Sequence, residues 1–243
     1  MRSLLRRLPG FGLWVLLREL LAGGEHREAA VARILRPRNL FQPYTTTEPE
    51  RYPEELARVA DELPADRRDA PRILSFGCSS GDELLTLATR FPQARITGID
   101  INPLAVRRAR RRMAEAGLAD RVTVIRAGDA SGEPEAAYDV VLALAVLRHG
   151  WLNAGPETCG EHLRFADFDA TVTGLCRTLR PGGLFVIRHA NFRFGDAAGA
   201  VDFEPVQTGF PSDSAQGETP VYGPDDRLLP HDRRDDGIHR KVR

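Results

Sequence analysis

This 243-residue sequence has no excess of either charge, because its 34 acidic residues balance its 34 lysines and arginines. Nucleic acids and membrane surfaces bind proteins through basic patches. The balance therefore argues against both partners and favours a small-molecule or peptide-like substrate. Lysine is almost missing as well, because Lys241 is the only one and arginine supplies the other basic charges. This bias is typical of GC-rich bacterial genomes.

Cysteine is scarce, and long apolar runs are absent. Cys78, Cys159 and Cys176 are an odd number and lie far apart, which argues against a disulfide framework and predicts a reducing, cytoplasmic location. The apolar run 11–17 follows arginines as in a secretory signal, but it is too short to span a bilayer and no small-residue cleavage site follows. We expect an amphipathic helix packed on the domain, with no stable membrane insertion. A peripheral membrane contact through Trp14 is the alternative, and the oligomeric state is left open.

Strand-like and helix-like segments alternate from Arg72 onward, which predicts a domain over 72–243 built on a parallel sheet with crossover helices. The predicted strands are 73–76, 96–100, 122–127, 138–144 and 184–189, with weaker candidates at 203–206 and 237–242. The predicted helices are about 82–90, 103–116 and 165–179. The fourth strand is apolar without a break from Val140 to Leu144, as a sheet covered by helices on both faces requires.

Residues 1–71 are predicted to form a helical leader rather than a second domain. Helical spacing runs to about residue 37, and Tyr52-Pro53 opens another helix. Between them lies the aromatic stretch Phe41–Tyr44. An exposed aromatic segment needs a surface to cover, so we expect this stretch and Tyr52 to lie over the strand ends as part of a substrate lid.

Two glycines flank the turn between the first strand and the first helix of the domain. Gly77 and Gly81 lack side chains, which lets the backbone approach a ligand closely. Ser80 is placed to cap the helix, and Glu83 is placed to complete a capping box. The N–H groups at that helix end suit an anion such as a carboxylate. Glycines at such turns are often only structural, so both interpretations stand at this point.

The second strand ends on an acidic residue, Asp100, which is followed by Asn102 as an N-cap and Pro103 at the first helical position. A carboxylate at this place can accept hydrogen bonds from both hydroxyls of a ribose, so the pattern indicates a nucleoside cofactor. The turn Gly77–Gly81 lacks the middle glycine of G-x-G-x-x-G, which admits a pyrophosphate. S-adenosylmethionine, which has no phosphate, therefore fits better than a nicotinamide dinucleotide.

Four segments, in this order, resemble the motifs of class I S-adenosylmethionine-dependent methyltransferases: Ile73–Glu83, Gly98–Asn102, Ala127–Ala130 and Leu179–Gly183. The first is especially similar to that of chemotaxis receptor methyltransferases, although the leader and tail lack the helical and docking parts of those enzymes. The resemblance covers roughly 72–193. It implies a Rossmann-like, doubly wound, mostly parallel seven-stranded α/β sheet with helices on both faces, in which the tail adds an antiparallel pair.

By position, the resemblance also assigns the contacts to S-adenosylmethionine. Those near the ribose and the adenine are Asp100, Ile101, Asp129 and Ala130. Those near the methionine end and its transferable methyl group are Gly77, Ser79, Gly81, Asp82 and Leu144. Asp82 either meets the amino group of the cofactor or acts as a partner of the helix dipole.

The acceptor is expected over the strand ends, where loops hold the substrates of such enzymes. The candidates there are His149, Trp151, His189, Asn191 and Arg193. A base is needed only if the acceptor atom carries a proton; His149 or His189 is placed to be that base, with a structural histidine as the alternative. Arg193, with Arg148, can clamp an acidic acceptor or form surface ion pairs.

Two further patterns are weaker evidence for a functional site. The basic run Arg107–Arg112 lies on a predicted helix and is read as its solvated outer face rather than an RNA patch. Cys159 and His162 have a zinc-like spacing, but no second pair completes four ligands, so no metal is expected. The sequence therefore predicts methyl transfer from S-adenosylmethionine to an unidentified small molecule. A catalytically silent, cofactor-binding regulatory partner and an NAD(P)-dependent oxidoreductase are the alternatives.

Overall fold

The computed structural model describes residues 11–35, 40–42, 51–210, 219–229 and 234–243. Within them seven strands form one sheet with the order β3-β2-β1-β4-β5-β7-β6. The strands are β1 Arg72–Phe76, β2 Arg95–Asp100, β3 Val122–Arg126, β4 Tyr138–Leu144, β5 Leu179–Arg188, β6 Phe203–Thr208 and β7 Gly237–Lys241. Strands β1 to β5 pair in parallel, and β7 is antiparallel to both β5 and β6. This confirms the predicted doubly wound, mostly parallel sheet.

The described α-helices lie in the leader and between the strands. They are α1 Phe11–Ala22, α2 Gly24–Leu35, α3 Pro53–Glu62, α4 Ala65–Arg68, α5 Asp82–Arg90, α6 Pro103–Glu115 and α7 Phe165–Thr178. The predicted helices of the domain agree with α5, α6 and α7 to within a residue at either end. Helical propensity and apolar spacing therefore suffice to place them.

Apolar cores lie on both faces of the sheet. On one face the buried side chains of α3, α5 and α6 pack against the strands, with Leu56, Val59, Leu84, Leu87, Val106 and Met113 among them. On the other face α7 supplies Phe168, Val172, Leu175 and Cys176. Every residue of β4 is buried, which explains why this strand reads as one apolar run.

The fifth strand differs from its prediction at both ends. It begins at Leu179 rather than Leu184, because Leu179 already pairs with Tyr138 of β4. A register shift then accommodates the residues around Pro181 before Leu184 pairs with Val140. It ends at Arg188 rather than His189. His189 has a φ of 53°, a left-handed conformation that cannot continue a strand. The His189 ring is therefore placed by a turn just beyond the sheet edge.

The leader reaches the sheet through its second half. Tyr52, at the N-cap of α3, is buried, and Phe41 is buried in the core on the α7 face. Tyr44 of the predicted lid lies outside the described residues. In α1, Trp14 and Leu21 are 57% and 82% exposed, so these side chains do not pack on the domain as expected. Among the described helices, none has the length and apolar character needed to cross a bilayer.

Candidate functional site

The glycine turn after β1 is held by close packing. Gly77 and Gly81 have φ values of 80° and 91°, which only glycine adopts without strain. A Cβ on Gly77 would lie 2.4 Å from Cγ2 of Val146, and one on Gly81 would lie 3.2 Å from Cβ of Ala109. The glycines therefore let the turn fit between the segment after β4 and helix α6, besides leaving its backbone open toward a ligand.

The predicted capping box is wrong. Gly81, not Ser80, is the N-cap of α5, and no side chain caps this helix end. Glu83 instead accepts a hydrogen bond from the Ser75 hydroxyl at 2.7 Å, because its side chain turns toward β1 and away from the helix end. Burial raises the pKa of the Glu83 carboxyl to about 7. The N–H groups of the helix end are thus left to a ligand or solvent.

Asp82 lies in the first turn of α5 and pairs with helix α6. Its Oδ1 is 2.7 Å from Nη1 of Arg112. Arg112 also donates to the Ser80 carbonyl at 3.4 Å, so one guanidinium ties α6 to the glycine turn. This ion pair compensates the Asp82 charge locally. A contact between Asp82 and the cofactor's amino group stays a prediction.

Asp100 fixes the turn against the end of β2. Its buried carboxylate accepts the N–H of Ser79 through Oδ2 and the N–H of Asn102 through Oδ1, each at 2.8 Å. Asn102 is the N-cap of α6, as predicted, since its side chain accepts the N–H of Leu104 at 3.0 Å. Ile101 follows as a partly buried residue. The carboxylate therefore organises the two backbone segments between which a nucleoside would lie.

The residues predicted to lie near the adenine follow β3, and the residue predicted to border the methyl group ends β4. Asp129 accepts the N–H of Ser131 at 2.9 Å, and hydrogen bonds from the hydroxyl and N–H of Ser131 lower the pKa of its carboxyl. Ala130 is buried, and Leu144 is buried at the last position of β4. These residues and Asp100 thus share the carboxyl edge of the sheet. The strand order reverses between β1 and β4, which is where such sheets bind nucleotides.

His149, one of the residues predicted to lie near the acceptor, belongs to a stack of rings. Its ring is 5.1 Å from that of His162 and nearly parallel to it, and the Trp151 ring is 5.8 Å from His162. Nδ1 of His149 accepts the N–H of Trp151 at 3.3 Å. Burial, and then His162, lowers the pKa of His149 to about 4. A neutral imidazole whose Nδ1 accepts carries its proton on Nε2, so His149 has a donor at Nε2.

His189 is fully buried at the end of β5. Its backbone N–H donates to the carboxylate of Asp236, which lies just before β7, and its ring is 5.8 Å from the ring of Tyr52. Burial is the largest cause that lowers the pKa of His189 to about 3, and the positive charges of Arg188, Arg148, Arg234 and Arg51 contribute to the same shift. The leader, the sheet and the tail thus meet at one histidine.

Asn191 and Arg193 both make contacts within the protein. Asn191 is buried, its Oδ1 accepts the N–H of His149 at 2.8 Å, and its Nδ2 donates to the Pro220 carbonyl at 2.8 Å. Arg193 donates twice to Asp196, at 2.9 Å. Both ends of the Asn191 amide are engaged by main chain, so this residue connects the loops at His149 and Pro220. A substrate contact by Asn191 or Arg193 stays a prediction.

The arginines around His189 are the residues that sequence reasoning mostly missed. Arg148 was a candidate, but Arg51, Arg188 and Arg234 were not. Arg188 pairs with Glu55 at 2.7 Å, and both side chains are about 4–5% exposed. The sequence did contain a signal for Arg234. A strand at 237–242 that is antiparallel to β5 must begin at the carboxyl end of β5, so the residues just before position 237 lie near His189.

Metal ligation has no support in the part of the chain that is described, where no group of three or more His, Cys, Asp or Glu side chains is placed to hold an ion. Cys159 lies 3.5 Å from the carbonyl oxygen of Asp226 through its Sγ. Burial raises the pKa of this thiol to about 12. Cys159 therefore behaves as a buried, protonated side chain.

Burial of His189 gives a testable pH dependence of stability. An unfolded histidine titrates near 6.5, but folded His189 titrates near 3. Between these values the unfolded chain binds the extra proton, so stability falls with falling pH by about 1.4 kcal/mol per unit. The raised pKa of Asp236, about 6, acts in the opposite direction. His189→Asn removes only the first effect, and asparagine tolerates the left-handed φ.

We expect urea unfolding between about pH 7 and 5 to show a shallower loss of stability for His189→Asn than for the wild type, by about 1 kcal/mol per pH unit. Comparison at each pH cancels the contribution that both proteins share. Parallel curves for the two proteins would show that His189 is not held neutral by the fold.

The strand order, the glycine turn and the acidic strand ends define the class. They are those of a class I S-adenosylmethionine-dependent methyltransferase, and the residues present fit this cofactor: a turn flanked by two glycines is held against an organised carboxylate at the switch point. A sequence family described as a methyltransferase domain matches residues 68–218, and the chain belongs to this family.

Known proteins similar to this chain share its central part. Aclacinomycin 10-hydroxylase RdmB of Streptomyces purpurascens is 38% identical over 146 residues, which are 58% of this chain and 34% of the relative. A trans-aconitate 2-methyltransferase of Methylobacterium radiotolerans is 31% identical over 140 residues, 57% of this chain and 46% of the relative. A solved S-adenosylmethionine-dependent methyltransferase of Geobacter sulfurreducens with S-adenosyl-L-homocysteine is 30% identical over 57% and 49% of the two chains, with a TM-score of 0.39. The chain thus spans less than half the length of these proteins.

Proposed function

We propose that this protein transfers a methyl group from S-adenosylmethionine to a small-molecule acceptor at the carboxyl ends of β4 and β5. The observation that carries this is the Asp100 carboxylate, which binds the glycine turn and the start of α6 at the reversal of strand order. The bound cofactor supplies a methyl group on a sulfonium. The balanced net charge supports a small acceptor rather than a nucleic acid.

In this proposal the chain's residues position the reactants. Asp100 accepts the ribose hydroxyls, Asp129 lies toward the adenine, and Leu144 borders the methyl group. Alignment of acceptor and methyl group is the main task of such a site. We include the leader as a lid, supported by Tyr52, whose ring lies 5.8 Å from that of His189. A cytoplasmic location is part of the proposal and is supported by the burial of all three free cysteines.

We propose that His149 orients the acceptor and that His189, which is fully buried beside Tyr52, supports the site from within the fold. A general base works best with a pKa near the working pH, whereas His149 and His189 titrate near 4 and 3. His149 also has its Nδ1 engaged by Trp151. The base role predicted from the sequence requires a loss of turnover of roughly 100-fold or more when the base is removed. A positioning role predicts a smaller loss.

The experiment is transfer of labelled methyl from S-adenosylmethionine, with trans-aconitate as the first acceptor, since several relatives are named for it. A small-molecule extract is the second source of acceptors. We expect labelled product, and a loss of about tenfold or less for His149→Ala, with unchanged cofactor affinity by calorimetry. A loss of 100-fold or more would restore the base role.

Transfer must be measured directly, because one relative is named as a hydroxylase and family membership alone does not fix the reaction. Binding of S-adenosylmethionine without transfer to any acceptor would favour the silent regulatory partner. Binding of a nicotinamide dinucleotide in its place would favour the oxidoreductase.

A further inference from the structure

We propose that helix α1 binds the surface of a membrane that contains anionic phospholipids, with its apolar face in the headgroup region. The apolar face is defined as Trp14, Leu17 and Leu21, which are 57%, 50% and 82% exposed. Residues three or four positions apart lie on the same side of a helix, so these three side chains form one row. Contiguous exposed apolar side chains mark a surface that binds a partner, whereas single ones do not.

The other side of α1 is covered within the leader. Helices α1 and α2 pack against each other, and they are joined at Gly23 and Gly24, whose φ values of 73° and 52° make a tight left-handed connection. Glu19, on the side of α1 away from Trp14, is 7% exposed, and Ala29 and Ala30 of α2 are buried. The helix pair therefore buries one side of α1 and leaves the apolar face exposed.

The charges beside the apolar face suit an anionic surface. The guanidinium carbon of Arg18 lies 5.6 Å from the centre of the Trp14 ring, which places a positive charge at the edge of the face. Arg18 is exposed, whereas the acid next to it in the sequence, Glu19, is buried. Helices that lie in a membrane interface combine tryptophan and leucine on one side with arginines that reach the lipid phosphates.

The leader is basic, although the complete chain is balanced. Residues 1–38 contain eight arginines and three glutamates, and Arg2, Arg6 and Arg7 precede α1 in the sequence. Each basic residue close to an anionic membrane adds to the attraction. A second copy of this chain would bring the same positive charge and be repelled. Charge complementarity therefore favours a phospholipid surface over a dimer as the occupant of the apolar face.

The length of α1 decides how it meets the membrane. Its 12 residues extend about 18 Å at the rise of an α-helix, whereas the hydrocarbon core of a bilayer is about 30 Å thick. The helix is thus proposed to lie along the surface, with the apolar face toward the lipid and α2 toward the protein. Such binding is reversible, and it requires both the apolar face and the positive charge.

The test measures sedimentation with vesicles of phosphatidylcholine, with and without phosphatidylglycerol. We expect the wild type to bind the vesicles with phosphatidylglycerol, and the double substitution Leu17→Gln and Leu21→Gln to weaken this binding by roughly tenfold or more. Val201→Gln is the matched control, because Val201 is 83% exposed on the methyltransferase domain, and it should leave binding unchanged. Arg18→Gln should weaken binding by roughly fivefold at low salt, and added salt should weaken that of the wild type.

The fluorescence of Trp14 reports the contact directly. The chain has two tryptophans, so Trp151→Phe leaves Trp14 as the only one. On addition of vesicles with phosphatidylglycerol, we expect its emission to shift to shorter wavelength and its quenching by acrylamide to fall, because the ring leaves water.

The proposal is overturned if the wild type does not bind vesicles with phosphatidylglycerol, if the double variant binds them as the wild type does, or if the emission of Trp14 is unchanged in bound protein. Sedimentation equilibrium without lipid tests the other occupant. A dimer that the double substitution dissociates would assign the apolar face to a second copy and overturn the proposal as well. These samples contain no cofactor, so the result is independent of the proposed methyl transfer.

Discussion

Alanine in place of Gly77 is expected to destabilise the protein by about 2–4 kcal/mol. The backbone φ of 80° costs an L-residue roughly 1–2 kcal/mol. The new Cβ would also lie 2.4 Å from Cγ2 and 2.6 Å from Cβ of Val146, an overpacking that costs about 1–3 kcal/mol. The measurement is the free energy of unfolding in urea.

Gly117→Ala separates the two contributions. Gly117 has a φ of 68°, but a Cβ there would meet nothing within 4 Å, so only backbone strain is added. We expect a loss of about 1 kcal/mol at this position. Adding Val146→Gly to Gly77→Ala should recover part of the stability, whereas Val146→Ala should recover less, because its Cβ remains 2.6 Å from the new methyl group. Equal losses at 77 and 117 would contradict the packing argument.

Replacing Asp100 with alanine is expected to weaken S-adenosylmethionine binding by roughly 30- to 160-fold, which corresponds to about 2–3 kcal/mol. Two effects combine. The ribose loses its acceptor, and the N–H groups of Ser79 and Asn102 lose the carboxylate that orients them. Calorimetry with the folded variant measures the affinity, and circular dichroism shows that the variant is folded.

The controls for this prediction divide its causes. Asp100→Asn keeps one acceptor oxygen and most of the shape, so we expect an intermediate affinity. Asp120→Ala changes an exposed acid at the turn before β3 and should leave the affinity unchanged. A folded Asp100→Ala protein that binds the cofactor as tightly as the wild type would remove Asp100 from the site.

Much of the fold could be predicted from the sequence because its signals are local. Strands β1 to β4 and helices α5 to α7 follow from apolar periodicity and from caps such as Asn102, each within a few residues of the element concerned. The pair β6 and β7 followed from the family resemblance, and the structure places it as expected.

The contacts within the candidate site could not be predicted in this way, because they join residues far apart in the chain. Glu83 was assigned to a cap since its spacing allowed it, yet Ser75 lies closer in space. Asn191 was expected to bind substrate because it follows a strand, but its amide spans the loops at His149 and Pro220. Such pairings depend on tertiary packing, which spacing alone does not encode.

The place of β7 in the sheet sets an order of assembly. β7 follows β6 in the chain yet lies between β5 and β6, so the edge of β5 has no neighbour until residues 237–241 have been synthesised. The turn after β1 and the acid that ends β2 are made early and need only local partners. Asp236, which holds His189, arrives with β7. A nascent chain thus completes the half with the glycine turn first and the half around His189 last, with an exposed strand edge in the interval.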